Sequence, residues 1–167
     1  MVHITLPVFS DTGEEATRES LEVDEILPGR CRLLHSPALV DGLAKGDVIE
    51  LEESLPCGFR LVSRGGNLAV VVVFEKPEAK QCAETLLLIE KMQLVGGMAE
   101  GGPDRMLVFS IPVSAGFPVV EGLLDEFVRT LPAQVGGRAT CRKWEIRRTR
   151  LIGGQGRNDP VRRDSRR

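Results

Sequence analysis

The chain has 167 residues and a formal net charge of −2, long enough for one substantial domain or two small ones sharing an interface. With 42% hydrophobic and 28% charged residues its composition is that of an ordinary globular protein, which excludes a fibrous or wholly disordered chain. The longest apolar runs, residues 68–74 and 86–89, are far shorter than the roughly 20 residues of a spanning helix, and the N-terminus lacks the features of a signal peptide; a cytoplasmic protein, not attached to a membrane, is expected.

Residues 2–8 alternate Val2, Ile4, Leu6 and Val8 with His3, Thr5 and Pro7, the period-two pattern of a half-buried strand at an edge. Ser10 to Glu19 is polar and reads as an exposed loop before an extended stretch from Ser20 to Ile26. Pro28-Gly29 turns the chain into a third strand, Arg30 to His35. Ser36-Pro37 ends that strand, and Ala38 to Ala44 is an apolar connector suited to a helical turn. Strands over Asp47 to Glu53 and Phe59 to Ser63 follow, separated by the Pro56-Cys57-Gly58 turn. Five short strands with tight turns predict a small bent sheet or barrel, SH3-like or Sm-like, over residues 1–64.

Leu68 to Phe74 is a β-branched run suited to a central strand buried on both faces. Lys76-Pro77-Glu78 opens a helix in which Ala79, Cys82, Ala83, Leu86 and Ile89 recur at helical spacing to about Gln93. Gly96 to Pro103 suits a hairpin feeding a strand from Arg105 to Val113. Val120, Leu123, Leu124, Phe127, Val128 and Leu131 mark a second, strongly amphipathic helix, and a last strand spans Ala139 to Arg148. This βαββαβ order predicts a ferredoxin-like half over residues 65–150, so the fold class expected is α+β, a bent N-terminal sheet packed with a ferredoxin-like unit.

Residues 151–167 carry almost no apolar side chains and read as a disordered basic tail. From Arg142 to Arg167 ten Lys or Arg meet three acids, a balance of +7, while the residues before them sum to −9. Such a basic end either neutralises the acidic body or meets a polyanion. Cys31, Cys57, Cys82 and Cys141 contain no close pair, which argues against a zinc site or a disulfide framework; they read as small buried apolar residues.

The run Glu19-Ser-Leu-Glu-Val-Asp, then Gly29-Arg-Cys-Arg-Leu-Leu-His-Ser-Pro37, Gly42-Leu-Ala-Lys-Gly-Asp-Val-Ile-Glu-Leu51 and Arg64-Gly-Gly-Asn-Leu68 resembles a bacterial family described as a domain of unknown function. The resemblance covers about residues 1–150, implies no particular activity, and hints at an Sm-like N-terminal barrel. Cys31 stands where the resemblance implies an aromatic residue.

No phosphate-loop pattern follows any strand despite 18 glycines, and no G-x-S-x-G nucleophile motif occurs. Only His3 and His35 are available as imidazole bases. A Cys31–His35 pair would lie roughly 13 Å apart along a strand, too far for a hydrogen bond. Glu50 and Glu52 alternate with Ile49 and Leu51 and so take the solvent face of a strand. With one Trp, six Phe and no Tyr, stacking on bases is poorly provided for.

These features predict a non-enzymatic binding, adaptor or regulatory protein without a cofactor, partnered by another protein or by a second copy of itself. The surface predicted for a partner or ligand groups Arg32, His35, Ser36, Lys45, Asp47, Arg64 and Asn67 at turns of the bent sheet, although Asp47 and Asn67 are equally suited to capping those turns. The alternative is an RNA- or DNA-binding protein using the barrel loops and the basic tail, with Arg142, Lys143, Arg147, Arg148 and Arg150 on the phosphates.

Overall fold

The computed structural model describes residues 2–131 and the two-residue strand Glu145–Ile146. Its strands are β1 (Val2–Phe9), β2 (Glu15–Leu27), β3 (Arg30–Leu33), β4 (Val48–Leu51), β5 (Phe59–Ser63), β6 (Asn67–Val73), β7 (Met98–Gly101), β8 (Met106–Pro112) and β9 (Glu145–Ile146). Two α-helices, α1 (Ala83–Leu94) and α2 (Phe117–Thr130), join the later strands. The protein is α+β with two antiparallel sheets, ordered β1-β2-β3-β4-β5 and β7-β8-β6-β9.

The first sheet is a meander that curls without closing: its order ends at β1 and β5, so among the described residues there is no closed barrel. The curl is tight enough that a Cβ at Gly58, at the entry to β5, would lie 3.5 Å from Pro7 Cδ of β1. Inside it Ile4, Leu6, Leu21, Val23, Cys31, Leu33 and Ile49 form one core, plugged by Val40 and Leu43 from the connector after β3. That connector contains turns and bends and no helical turn.

β2 starts earlier than its polar sequence suggests. β1 runs to Phe9, which pairs with Glu15, so residues 15–19 are strand and only the turn at its tip is loop. Glu15 to Arg18 are exposed because this end of the hairpin projects beyond the core, which removes the alternation that would mark a strand.

The second sheet is buried on both faces at its centre. Leu68 to Val72 of β6 and Leu107 to Ile111 of β8 are all buried, the continuous apolar run that a doubly covered strand requires. Val70, Val72, Leu107, Phe109 and Ile111 face both helices, meeting Leu88 and Met92 of α1 and Val120, Leu124 and Phe127 of α2. Each such fully buried side chain contributes roughly 1.5–3 kcal/mol. Val71 and Val108, on the opposite face, pack against Ala38 of the connector. The layers therefore run helices, second sheet, first sheet.

The single helix expected from Lys76 to Gln93 is divided. Pro77–Gln81 is a 3-10 turn and Cys82, extended at ψ 160°, separates it from α1. Thr85 Oγ1 donates to Ala79 O at 2.8 Å across the break, beside the Cys82 N–H that the same carbonyl accepts at 3.3 Å. Cys31 is buried, whereas Cys57 and Cys82 are partly exposed and so are not the core residues expected; Cys141 lies outside the described residues. The rest of the last predicted strand and the basic tail also lie outside them. No helix among the described residues is long and apolar enough to cross a membrane.

Candidate functional site

The two sheets meet where β3 ends. Leu33 is still paired, donating to Asp47 O at 2.9 Å and accepting from Gly46 N at 2.8 Å. Pro37 has no N–H, and beyond it the amides of Ala38, Leu39 and Val40 leave the ladder. The Glu19 carboxylate of β2 accepts all three, at 2.7, 2.9 and 2.8 Å. These charge-assisted bonds satisfy donors that burial would otherwise strand, and they fix the connector to the first sheet.

From the other sheet comes Glu100. Ala99 pairs with Phe109 and Gly101 with Val108, so Glu100 is the extra residue of a β-bulge. Gly101 and Gly102 follow at φ +88° and +136°, and a Cβ on Gly102 would meet Met106 O at 2.8 Å, which explains the glycines that release the strand here. The Glu100 side chain is 4% exposed. Its Oε2 accepts the Ser36 N–H at 2.6 Å. Lys45 Nζ approaches Oε1 to 3.3 Å and His35 Nδ1 to 3.8 Å, yet Oε1 is buried without a hydrogen-bond donor. His35 Nε2 lies 3.2 Å from Glu22 Oε2 of β2, so the imidazole stands between one carboxylate from each sheet.

These residues line a cleft of about 170 Å³ between the sheets. Glu19, Ser20, Glu22, His35, Ser36 and Glu100 supply its polar lining, and Leu21, Ala38, Pro103 and Val108 are among its apolar lining residues. His35, 52% exposed, and Glu22, 37% exposed, stand at the mouth; Glu100 is the floor. Beneath it Ser36 Oγ accepts the Lys45 N–H at 3.0 Å and lies 2.5 Å from Ser110 Oγ of β8.

The partner surface predicted from sequence separates into three places. His35, Ser36 and Lys45 gather around Glu100. Asp47, Arg64 and Asn67 form a lock between the two halves: buried Asp47 accepts from Ala44 N at 3.0 Å, Arg64 Nη1 at 2.9 Å and Gly65 N at 2.7 Å, while Asn67 Nδ2 donates to Lys45 O at 3.0 Å. Arg32 lies apart, exposed and 4.0 Å from Asp24. Ser36 and Asp47 are buried, so neither is a surface group. Arg142, Lys143, Arg147, Arg148 and Arg150 lie outside the described residues.

Sequence reading did not single out Glu19, Glu22 or Glu100. For Glu100 a signal exists: it is the one charged residue in the Gly96–Pro103 stretch, flanked by glycine pairs. Glu19 looks like an ordinary solvent-face acid until the connector folds back over it, and Glu22 stays 37% exposed beside His35. Burial raises the Cys31 thiol above its usual range, with the Glu25 charge adding to the effect. Among the described residues no group of three or more His, Cys, Asp or Glu is arranged to hold a metal ion.

A solved structure described as a hypothetical protein from Neisseria gonorrhoeae is similar in fold, with a TM-score of 0.59 over 76% of this chain and 86% of that one, at 15% identity. At that identity the likeness speaks to the fold alone. No curated protein matches the chain. The family whose model matches residues 19–132 takes in most of β2, all of β3 to β8 and every residue of the cleft, and the chain belongs to that family, described as a domain of unknown function (DUF4265).

Proposed function

We propose that this chain is a cytoplasmic, non-enzymatic binding module of bacteria that recognises another protein through the cleft between its two sheets. The observation that carries this reading is the Glu100 bulge. Bulges re-aim side chains and recur beside functional sites, and this one turns a carboxylate into a 4% exposed position against the opposite sheet. Desolvating a carboxylate costs several kcal/mol, which the Ser36 N–H and the Lys45 ion pair return only in part. A charged floor under a cleft is better explained by recognition than by stability.

Within this reading residues 1–64 are an SH3-like sheet left open and residues 65–150 a ferredoxin-like unit. The β7-β8-β6-β9 order with both helices on one face supports the second assignment. The curl that brings Gly58 to Pro7 supports the first.

Affinity capture with the full chain, its Glu100→Gln variant and a variant with Arg147, Arg148 and Arg150 changed to Ser tests the proposal. The expected result is a protein retained by wild type and by the arginine variant and lost with Glu100→Gln. A partner retained equally by all three contradicts it. The +7 balance from Arg142 onward favours nucleic acid as the second reading. Salt-sensitive binding of labelled RNA or DNA that the arginine variant loses would put that reading first.

A further inference from the structure

We propose that the outer face of α1 is a self-association surface, on which two copies of this chain pack antiparallel about a two-fold axis between Glu90 and Lys91. The surface lies apart from the cleft and does not depend on the recognition reading. The inward face of α1 carries the buried Thr85, Leu88 and Met92. On the opposite side, where a solvent-facing helix carries polar groups, stand Ala83, Leu86, Leu87 and Leu94, all exposed. Leu86 is 54%, Leu87 47% and Leu94 86% exposed. A helix that is apolar on both sides is one that is covered on both sides.

What covers it follows from the order of the side chains. Leu87 and Leu94 stand two turns apart, about 10 Å along one stripe, with Glu90 and Lys91 between them. The frame is the same read in either direction, except that its two central charges are opposite in sign. In an antiparallel pair Leu87 therefore meets the partner's Leu94, and Glu90 meets the partner's Lys91, each contact occurring twice. That is the self-complementarity a two-fold interface requires. A parallel pair would instead set like charges against each other. Lys91 Nζ already reaches Glu126 Oε1 of α2 at 2.8 Å, and an ammonium has donors left for a second carboxylate. A foreign helix would have to match both the leucine spacing and the charge order, whereas a second copy supplies both. The helix is only about 18 Å long, so the contact is at the small end of specific interfaces and the dimer forms only at high concentration.

The test is sedimentation equilibrium of the full chain from about 1 µM to about 500 µM. The expected result is a monomer that becomes a dimer across this range, with association weakened roughly tenfold or more by Leu87→Asp and by Leu94→Asp. Glu90→Lys and Lys91→Glu should each weaken it alone. An equimolar mixture of those two variants should associate more tightly than either, because the mixed pair sets lysine against glutamate at both contacts. Thermal unfolding shows which variants are folded, and the exposed Leu94 keeps the test decisive if Lys91→Glu, which also loses Glu126, does not fold. A monomer at every concentration overturns the proposal. Amide shifts at Leu86, Leu87 and Leu94 then assign the face: to the chain's own basic end if they follow the change of Arg147, Arg148 and Arg150 to Ser, or to another protein if they follow addition of a captured partner. A dimer that neither leucine substitution weakens also overturns it, since the contact is then elsewhere. A mixture no tighter than its components, with both leucine variants weakened, overturns the antiparallel arrangement.

Discussion

Ser36 Oγ and Ser110 Oγ lie 2.5 Å apart in the seam between the two sheets, both side chains buried. Ser36 Oγ also accepts the Lys45 amide, and either hydroxyl can donate to the other. Either single change to Ala leaves a buried hydroxyl with one partner fewer, at a cost of about 1–2 kcal/mol in urea unfolding. The double variant should lose less than the sum of the singles, since the interaction is removed only once. Strict additivity would show that the two hydroxyls do not depend on each other.

The lock around Asp47 predicts a graded series. Asp47→Ala removes acceptors from two backbone amides and from Arg64, and is expected to destabilise by about 3 kcal/mol. Arg64→Ala should cost less, because its side chain is 28% exposed and water replaces part of the interaction. Chemical denaturation of the two variants gives the order directly.

Gly65 and Gly66 are neighbours with opposite constraints. A Cβ on Gly65 would stand 2.2 Å from the backbone carbon of Gly46, so Gly65→Ala must force the two loops apart, and a loss of about 3 kcal/mol or more is expected. Gly66 has open space around it and only its φ of +76° to restrict it, so Gly66→Ala should cost about 1–2 kcal/mol. Thermal unfolding of both variants checks the contrast.

How far the sequence discloses this molecule depends on whether the signal is local. The β6 valines announce a strand covered on both faces, and the α2 periodicity announces a helix lying on a core; both are present. The projecting part of β2 carries no alternation because neither of its faces is buried, so pairing with β1 alone makes it a strand. The break at Cys82 leaves the apolar spacing of the surrounding residues intact and is therefore invisible to periodicity. The cleft is least legible of all. Glu19, His35 and Glu100 are far apart in sequence, and a one-residue shift of register against β8 decides where Glu100 points.

Burial of Cys31 has a consequence for pH. The folded thiol keeps its proton to higher pH than the unfolded one, so its contribution to stability is complete below the ordinary thiol range, near about 8.5, and declines as pH rises through the folded value. The stability gap between wild type and Cys31→Ala should therefore shrink between pH 7.5 and pH 10. Thiol labelling followed by peptide mass analysis should modify Cys57 and Cys82 before Cys31.

The most direct test of the cleft as the recognition site is an amide chemical-shift map of the isotopically labelled full chain during titration with the protein that affinity capture returns. The expected result is a set of saturable shifts confined to Glu22, His35, Ser36, Gly101 and Gly102, the residues around the Glu100 carboxylate. Shifts centred instead on the exposed Leu86, Leu87 and Leu94 of α1, with the cleft amides unmoved, would contradict it.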